Sequence, residues 1–340
     1  MTLTQTAILT KQIISLTIVA IVLGIISFIG YQMWYSYYLS TLPPVEEKPD
    51  TKFGVLQKPD FPKSTVSSSN FSYTLDTVTG GLPKLGIDST FDKLSKVFFV
   101  IKPYATFLSP DKSQNLAEKF NIKSIPEVLN ETTYTFSASN EQYKKTLIID
   151  LNSGNFSYTK EASPAAETLD KDEQLVNDFK NMLSRFGILK DEISSGRNKI
   201  VLLEYVPGIV TVRISLWPED LDKKQIYTSN VNKSQISAVV TKSSTDIENY
   251  LELNFSYYQI DLSTIATYPT KQPEEAFKEL RLGKGVIIIE PEKPQVSITS
   301  INIGYFLPDT YNPYVQPIYV FEGPSFMAYV SAISSEFLKD

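Results

Sequence analysis

An uncharged apolar stretch near the amino terminus restricts this chain to a few environments. Residues 12 to 45 contain no charged side chain, and the run from Ile13 to Ile29 is predominantly apolar. A helix needs about 20 such residues to cross roughly 30 Å of hydrocarbon. The run has no polar face, which argues against a buried helix of a soluble protein. We therefore predict a single transmembrane helix within residues 12 to 39.

A group of aromatic residues follows the apolar run. Tyrosine and tryptophan prefer the headgroup layer of a bilayer, so this group predicts the membrane interface, formed by Tyr31, Trp34, Tyr35, Tyr37 and Tyr38. Lys11 and the amino terminus are the only positive groups before the run. The positive-inside rule then predicts a cytoplasmic tail at residues 1 to 11 and an extracytoplasmic position for everything after the span.

A cleaved signal peptide is the alternative to a membrane anchor. Signal peptides have an apolar core of roughly 7 to 15 residues followed by small residues at the cleavage site. The run here is longer, and bulky aromatic residues occupy the place of cleavage. We therefore expect a retained signal anchor in the cell membrane. Ala20 and Gly24 have the spacing of a helix-pairing motif, which leaves an oligomer through the transmembrane helix open.

Residues 40 to 70 are rich in proline and serine and predict a linker. They contain a Ser67 to Ser69 run and the prolines Pro43, Pro44, Pro49, Pro59 and Pro62. Proline-rich chain is semi-extended and holds a folded part away from its anchor. The folded part is expected to begin near Phe71.

Composition excludes several classes of function. The chain has no histidine and no cysteine, so Ser-His-Asp triads, Cys-His dyads and histidine-based zinc sites are impossible. Only a Ser-Lys dyad or a pair of carboxylates is left open as catalytic chemistry. Acidic residues outnumber basic ones by 38 to 32, which argues against nucleic acid as a partner. We predict a protein that is not an enzyme and that uses no cofactor or metal.

Three helices follow from capping signals and apolar spacing. Ser109 with Pro110 predicts the start of the first helix, and Asp170 with Glu173 resembles a capping box for the second. The second helix then stops at Gly187, and a third runs from about Gln272 to Leu282, before Gly283.

Consecutive strand patterns follow each helix. One tight hairpin is predicted at Asn152, Ser153 and Gly154. Strands are predicted at residues 132 to 136, 146 to 151, 155 to 159, 209 to 217, 235 to 240, 251 to 260, 286 to 290, 296 to 306, 318 to 321 and 326 to 333. Helices followed by antiparallel hairpins predict an α+β fold in which helices cover one face of each sheet. About 270 residues exceed the usual size of one domain, so we divide them into domains at 71–190 and 191–340.

Two aromatic groups are candidates for an interaction surface. Tyr311 and Tyr314 lie in a proline-rich loop, and Trp217 precedes Pro218 and Glu219 after an apolar strand. Tyrosine gives a large contact area at low entropy cost, which suits a binding patch. Tyr319 and Tyr329 belong either to the same patch or, as we prefer, to the interior of a sheet.

Several segments resemble a known family. Residues 115–120, 133–136 and 147–156 are similar to the helix and hairpin of PepSY-like domains. Residues 275–280, 283–285, 301–305, 316–323 and 326–330 are similar to the carboxyl-terminal part of YycH and YycI regulators. The resemblance implies tandem PepSY/YycI-like domains of antiparallel sheet covered by helices, behind a single-pass anchor.

The resemblance also implies a function by contact. Members of that family modulate a membrane sensor kinase of a two-component system, so we expect a protein partner in the bacterial membrane or envelope. Two other functions stay open. One is an inhibitor or chaperone of an exported peptidase, and the other is a structural cell-envelope protein that binds wall polymer.

Overall fold

The described residues belong to two separate units of the chain. The structure is a computed structural model, and it describes residues 3 to 41, 48 to 83, 92 to 162, 170 to 206 and 209 to 339. The two units are Met1–Lys48 and Pro49–Asp340. The first contains an apolar helix and the second is rich in sheet, so the predicted α+β class is confirmed.

The first unit contains helix α1 (Leu3–Thr41). Its segment Leu16–Tyr38 spans 23 residues, has a mean hydropathy of 2.1 and is not buried against protein. Of the helices in the described residues, it is the one that is long and apolar enough to cross a membrane. This segment fits single-pass membrane anchoring and agrees with the predicted span, residues 12 to 39.

The second unit has four α-helices among its described residues. They are α2 (Ser109–Lys119), α3 (Asp172–Arg185), α4 (Asp191–Ser195) and α5 (Pro273–Arg281). The predicted stops are confirmed, since Gly187 and Gly283 follow α3 and α5 with φ angles of +72° and +84°. The sequence did not indicate α4.

Two predicted helix starts are wrong. Leu108, not Ser109, is the residue before α2, and the Ser109 hydroxyl accepts a hydrogen bond from the Thr106 N–H, 2.9 Å away. Lys171 precedes α3 without a side-chain cap, because the Asp170 carboxylate accepts instead from the Ser243 N–H at 2.8 Å. In both cases the predicted capping side chain forms its hydrogen bond with a backbone N–H outside the helix.

The strands of the second unit are short and numerous. They are β1 (Leu56–Gln57), β2 (Ser72–Leu75), β3 (Leu94–Val100), β4 (Glu127–Asn130), β5 (Thr133–Ser139), β6 (Tyr143–Asp150), β7 (Phe156–Ala162), β8 (Asn198–Val206), β9 (Ile209–Leu216), β10 (Ile226–Tyr227), β11 (Ile236–Val240), β12 (Tyr250–Phe255), β13 (Ile260–Pro269), β14 (Val286–Ile289), β15 (Gln295–Ile298), β16 (Ser300–Phe306), β17 (Tyr314–Gly323), β18 (Phe326–Ser331) and β19 (Leu338–Lys339).

An eight-stranded antiparallel sheet is built from two similar halves. Its order is β4-β5-β6-β7-β12-β11-β9-β8. In each half a helix, α2 or α3, precedes four strands that pair in the order in which they occur in the chain, except that β10, between β9 and β11, pairs with β16 in the other sheet. The last strands of the halves, β7 and β12, pair with each other and place Phe156 opposite Phe255. Their rings stack at 5.5 Å, so the two halves share one continuous sheet.

One face of this sheet carries a single hydrophobic core. Helix α2 contributes Ala117, and α3 contributes Phe179 and Met182, all with no exposed surface. Strand side chains Phe136, Leu147, Val212 and Leu253 meet them from the sheet. The apolar spacing predicted for the second helix is confirmed, because Leu175, Val176, Phe179, Met182 and Leu183 are all buried.

A seven-stranded sheet forms the other half of the unit. Its main order is β10-β16-β17-β18-β14, and β3 pairs with both β17 and β13. Helix α5 packs Ala276 and Leu280 on this sheet, beside Phe321 and Val330. Two parallel pairs, β1 with β19 and β2 with β15, attach the beginning of the unit to later segments.

The predicted linker at residues 40 to 70 is wrong for residues 49 to 70. These residues belong to the folded unit that begins at Pro49. Leu56 is fully buried, and Phe61 packs edge-on against Phe306 at 5.0 Å. The prolines were interpreted as a sign of a linker, but proline also occurs in irregular segments that belong to a folded domain. Residues 42 to 47 lie outside the described residues.

The predicted domain boundary between residues 190 and 191 is also wrong. Strands from both sides of it form the eight-stranded sheet. Strand β3, which precedes that sheet in the chain, pairs with β13, which follows it. The seven-stranded part therefore takes residues from before and after the eight-stranded part, and the sequence order does not separate them.

Candidate functional site

An apolar cavity of about 220 Å³ lies where the chain passes from the eight-stranded to the seven-stranded sheet. We call it the Trp217 pocket. Its walls are formed chiefly by Ile193, Trp217, Ile236, Tyr257, Tyr258 and Leu262. Ile193 comes from α4, Ile236 begins β11, and the two tyrosines lie between β12 and β13. Apolar cavities with a few polar groups at the edge are the usual form of a binding site.

Trp217 forms a fixed wall of this pocket. Its side chain is 1% exposed, and its indole Nε1–H donates to the Thr228 hydroxyl at 3.2 Å. The Arg197 guanidinium lies over the ring, with 4.2 Å between its carbon and the ring centre. Burial lowers the pKa of Arg197, and its Nη2 donates to the Ile226 carbonyl at 2.6 Å. The ring is therefore held at its N–H edge by a hydrogen bond and on one face by a cation.

Gly196 allows the chain to pass close behind Trp217. A Cβ atom at this position would lie 2.0 Å from the Trp217 carbonyl oxygen and 2.7 Å from the Pro218 carbonyl carbon. Such distances are far below van der Waals contact, so a side chain at residue 196 would displace the backbone that carries Trp217. This glycine is required for space, not for a positive φ angle, because its φ is −71°.

Tyr257 and Leu262 line the opening of the pocket. The Tyr257 hydroxyl donates to the Glu192 carboxylate, and burial followed by this hydrogen bond raises the pKa of Tyr257. Leu262 is 63% exposed. It lies in an irregular stretch of β13 where the Asp261 carboxylate accepts from the N–H of Ser263 at 2.9 Å. This turn presents an apolar side chain to solvent beside the cavity.

The charged groups that line the pocket are all acidic. They are Glu192, Glu219 and Asp220, and the part of the chain that the structure describes places no lysine or arginine in the lining. Glu219 and Asp220 are exposed. The pocket therefore combines an apolar interior with a negative edge, an arrangement that favours an apolar group next to a positive charge.

The predicted interaction residues lie in different surroundings. Trp217, for which both a binding surface and a packed interior were open, is buried and contributes a pocket wall. Tyr311 is partly buried, donates to the Val100 carbonyl at 3.3 Å and meets the ring of Tyr258 edge-on at 5.7 Å. Tyr311 thus supports a residue of the pocket.

The remaining predicted tyrosines lie away from the pocket. Tyr314 is partly buried and stacks on Phe53, with 4.9 Å between ring centres. Tyr319 and Tyr329 have no exposed surface, which confirms the preferred interpretation that they belong to a sheet interior. The four tyrosines therefore do not form one exposed patch.

The predicted membrane-interface residues lie near the carboxyl end of α1. Each is 46% to 70% exposed. Tyr31 stacks on Tyr35 at 6.0 Å, and Trp34 stacks on Tyr38 at 5.8 Å, as the i and i+4 positions of a helix permit. Tyr37 lies on the same segment.

Sequence reasoning missed most residues of the Trp217 pocket. Residues 251 to 260 were predicted as one strand, whereas β12 ends at Phe255 and β13 begins at Ile260. The adjacent tyrosines at 257 and 258 break the alternation of that pattern, and this break was the available signal.

The described residues hold no group of three or more acidic side chains arranged for a metal ion. Ser109 and Lys112 have S-x-x-K spacing at the start of α2, a signal that the sequence reasoning also missed. Among the described hydrogen bonds none joins the two side chains, and the Ser109 hydroxyl contacts the Thr106 backbone. Asp150 accepts from the Ser153 hydroxyl at 2.5 Å within its hairpin turn, as a plain turn requires.

Comparison with known proteins gives little further information. No protein-family model matches the chain, and no curated protein is similar to it at a significant level. Among solved structures, the chain is similar to an uncharacterized protein from Eubacterium rectale ATCC 33656 at 12% sequence identity. The similarity covers 77% of this chain and 89% of that protein, with a TM-score of 0.36.

Proposed function

We propose that this protein is a single-pass membrane protein that regulates a membrane partner by direct contact outside the cytoplasm. The partner class that we favour is a sensor kinase or another cell-envelope protein. The exposed apolar segment Leu16–Tyr38 supports anchoring, and Lys11 before it supports a cytoplasmic amino terminus. The resemblance to PepSY-like and YycH/YycI proteins supports the regulatory role.

The Trp217 pocket is the observation on which the proposed contact rests. Its apolar interior favours an apolar side chain, and its three carboxylates favour a neighbouring lysine or arginine. We infer that the partner supplies a segment with both features. Trp217 and Tyr257 are held by hydrogen bonds, so the walls are largely preformed and binding requires little ordering of side chains.

A site-specific crosslinking experiment tests this function. A photoreactive residue replaces Leu262 at the pocket opening in cells that express the full chain. The matched control carries the same residue at position 202, since Leu202 on β8 is 64% exposed and Leu262 is 63% exposed. Leu202 does not line the pocket. We expect position 262 to crosslink to a membrane protein through a segment in which apolar residues neighbour lysine or arginine.

Two results would count against the proposal. The first is no crosslink from position 262. The second is the same set of products from positions 262 and 202, because a surface that binds nothing specific gives equal capture at matched exposure. Mass spectrometry of the crosslinked peptide identifies the partner and the chemistry of its segment.

A further inference from the structure

The loop between β3 and α2, residues 101 to 108, holds four large apolar side chains in solvent. We call it the aromatic loop. Phe107 is 96% exposed, and Ile101, Tyr104 and Leu108 are exposed as well. Single exposed apolar residues are common on proteins, but four in one short loop form a patch. Such patches mark contacts with other proteins or with membranes.

Hydrogen bonds fix the backbone of the aromatic loop to its neighbours. The Ile101 N–H donates to the Gln259 carbonyl at 2.9 Å, which connects the loop to the segment before β13. The Ala105 N–H donates to the side-chain oxygen of Asn152 at 3.1 Å, in the hairpin turn after β6. The exposed side chains are therefore carried by a held backbone, and their burial against a partner requires little ordering of the chain.

The aromatic loop leaves β3 close to the place where the chain enters the folded unit. The unit begins at Pro49, and the Asp50 N–H donates to the hydroxyl of Thr267 at 3.1 Å, on the strand β13 that pairs with β3. Phe53 then lies against Phe99, just before the loop, with 6.4 Å between ring centres. The beginning of the unit therefore runs beside the strand from which the loop leaves.

The covalent connection limits how far this part of the unit can move from the proposed bilayer. Residues 39 to 48 separate the apolar segment, which ends at Tyr38, from the unit that begins at Pro49. Extended chain spans at most about 3.5 Å per residue, so this connection reaches at most about 35 Å. A surface close to the beginning of the unit thus meets lipid at a high effective concentration.

We propose that the aromatic loop inserts Tyr104, Phe107 and Leu108 into the surface of the lipid bilayer that holds the span. Apolar side chains gain free energy when they leave water. Tyrosine suits the headgroup layer, because its ring is covered there while its hydroxyl stays hydrated. This inference rests on the proposed membrane anchoring and does not depend on the Trp217 pocket.

Charge contributes less than apolar surface to this contact. The charged residues of the segment 101 to 112 are Lys102, Asp111 and Lys112, all exposed, so one positive charge is in excess. The Lys102 ammonium lies 5.4 Å from the centre of the Tyr104 ring, at a place from which a long side chain reaches lipid phosphate. One excess charge attracts anionic lipid only weakly. We therefore expect insertion into phosphatidylcholine alone.

Lipid quenching at a single labelled position tests the proposal. The chain has no cysteine, so Phe107→Cys provides one attachment point for an environment-sensitive fluorophore in the full chain. Ile125→Cys is the control, because Ile125 is 90% exposed and lies after α2. Each labelled chain is placed in phosphatidylcholine nanodiscs with and without nitroxide-bearing lipid. We expect at least about threefold stronger quenching at position 107 than at position 125, since a group inserted by about 5–10 Å lies among the quenchers.

Variants of the neighbouring residues test whether the loop itself inserts. With the label at position 107, Tyr104→Ser/Leu108→Ser is expected to lose at least about half of the quenching, because less apolar surface is buried. Val128→Ser/Leu129→Ser replaces two exposed apolar residues on β4 and is expected to keep it. Equal quenching at positions 107 and 125, or quenching that Tyr104→Ser/Leu108→Ser leaves unchanged, would overturn the proposal.

The same measurement separates this inference from the anchoring on which it rests. Loss of the chain from the nanodiscs during purification would contradict the anchoring, and the insertion with it. A chain that stays in the nanodiscs without quenching at position 107 would contradict the insertion alone. Blue-shifted emission at position 107 that nitroxide lipid does not quench would assign the loop to a contact between protein surfaces and would overturn the lipid proposal.

Discussion

At the scale of single residues, the Trp217 pocket depends on a glycine that does not line it. Gly196 lets the backbone of Trp217 and Pro218 approach to distances that no Cβ atom permits. Next to this glycine, Arg197 lies against the indole ring, whose N–H donates to Thr228. The shape of the pocket thus follows from a missing side chain.

We predict that Gly196→Ala destabilises the protein. Overpacking of this kind costs about 1–3 kcal/mol in the free energy of unfolding. Urea denaturation of the full chain in detergent measures the loss, and the fluorescence of Trp217, measured with Trp34 replaced by Phe, reports its displacement. Gly81→Ala is the control, because a Cβ atom there meets nothing within 4 Å. Equal stability of the two variants would contradict this role of Gly196.

The sequence alone did not reveal the state of the key aromatic residues. An apolar strand followed by Trp-Pro-Glu is compatible with an exposed or a buried tryptophan, since both environments accept an indole ring. In the folded protein the indole ring is buried against Thr228 and Arg197, which lie 11 and 20 residues away in the chain. No spacing rule connects these residues, so burial of Trp217 required the fold.

At the scale of elements, one ionic network connects both halves of the eight-stranded sheet. Lys145 on β6 is fully buried and contacts Glu248, which precedes β12. Lys160 on β7 contacts the same carboxylate at 2.9 Å, and Asn121 after α2 donates to it at 2.9 Å. Burial alone raises the pKa of Glu248, but the hydrogen bonds from Lys145, Asn121 and Lys160 outweigh it and lower the pKa to about 2.

This network predicts a dependence of stability on pH. A carboxylate whose pKa is lowered by folding stabilises the fold above its unfolded pKa of about 4.3, and the contribution is lost as the pH falls towards the folded value. Glu248→Gln is therefore expected to destabilise the protein at pH 7 and to differ less from the wild type as the pH falls from about 5 to about 2. Chemical denaturation at several pH values measures this difference.

Glu161→Gln is the control for the network. Glu161 is 72% exposed and lies 3.8 Å from Lys144, so its loss is expected to change stability little at any pH. A Glu248→Gln variant with the same pH profile as Glu161→Gln would rule out the network as a source of stability.

The sequence predicted the helices better than it predicted which strands pair with each other. The apolar spacing of α3 and α5 and the glycines after them determined these helices, because a buried face and a stop are local features. Strand β3 was missed, since both of its faces are covered and its sequence does not alternate. The pairing of β7 with β12 joins residues about one hundred positions apart and has no local signal.

That pairing predicts how a fragment behaves. Residues 191 to 340 lack β4 to β7 and helices α2 and α3, so Leu253 and Phe255 lose the partners that bury them. We expect this fragment not to unfold cooperatively, because a large apolar face is left in water. Circular dichroism during heating measures the transition. A sharp transition would instead support the original boundary at residue 190.

At the scale of the whole molecule, the proposed function requires that the folded unit lies outside the cytoplasm. The apolar segment of α1 is followed by a folded unit with a net negative charge, and a single lysine precedes it. We predict that an enzymatic reporter that is active only outside the cytoplasm functions when fused after residue 340. We also predict that the fusion stays with membranes at full length, as a retained anchor requires.

Two results would contradict the proposed membrane topology. A reporter that is active only in the cytoplasm would place the folded unit on the wrong side for the proposed partner. A shortened product released from the membrane would indicate cleavage after the apolar run, as for a signal peptide.

The fluorescence of Trp217 gives the most direct test of the central claim that its pocket binds an apolar segment next to a positive charge. The chain has two tryptophans, so Trp34→Phe leaves Trp217 as the single reporter. Short peptides with leucine beside lysine are titrated against the same peptides with glutamate in place of lysine. We predict a saturable change in emission with the lysine peptides and at least about tenfold weaker binding of the glutamate peptides. No change in emission, or equal binding of the two peptides, would contradict the account.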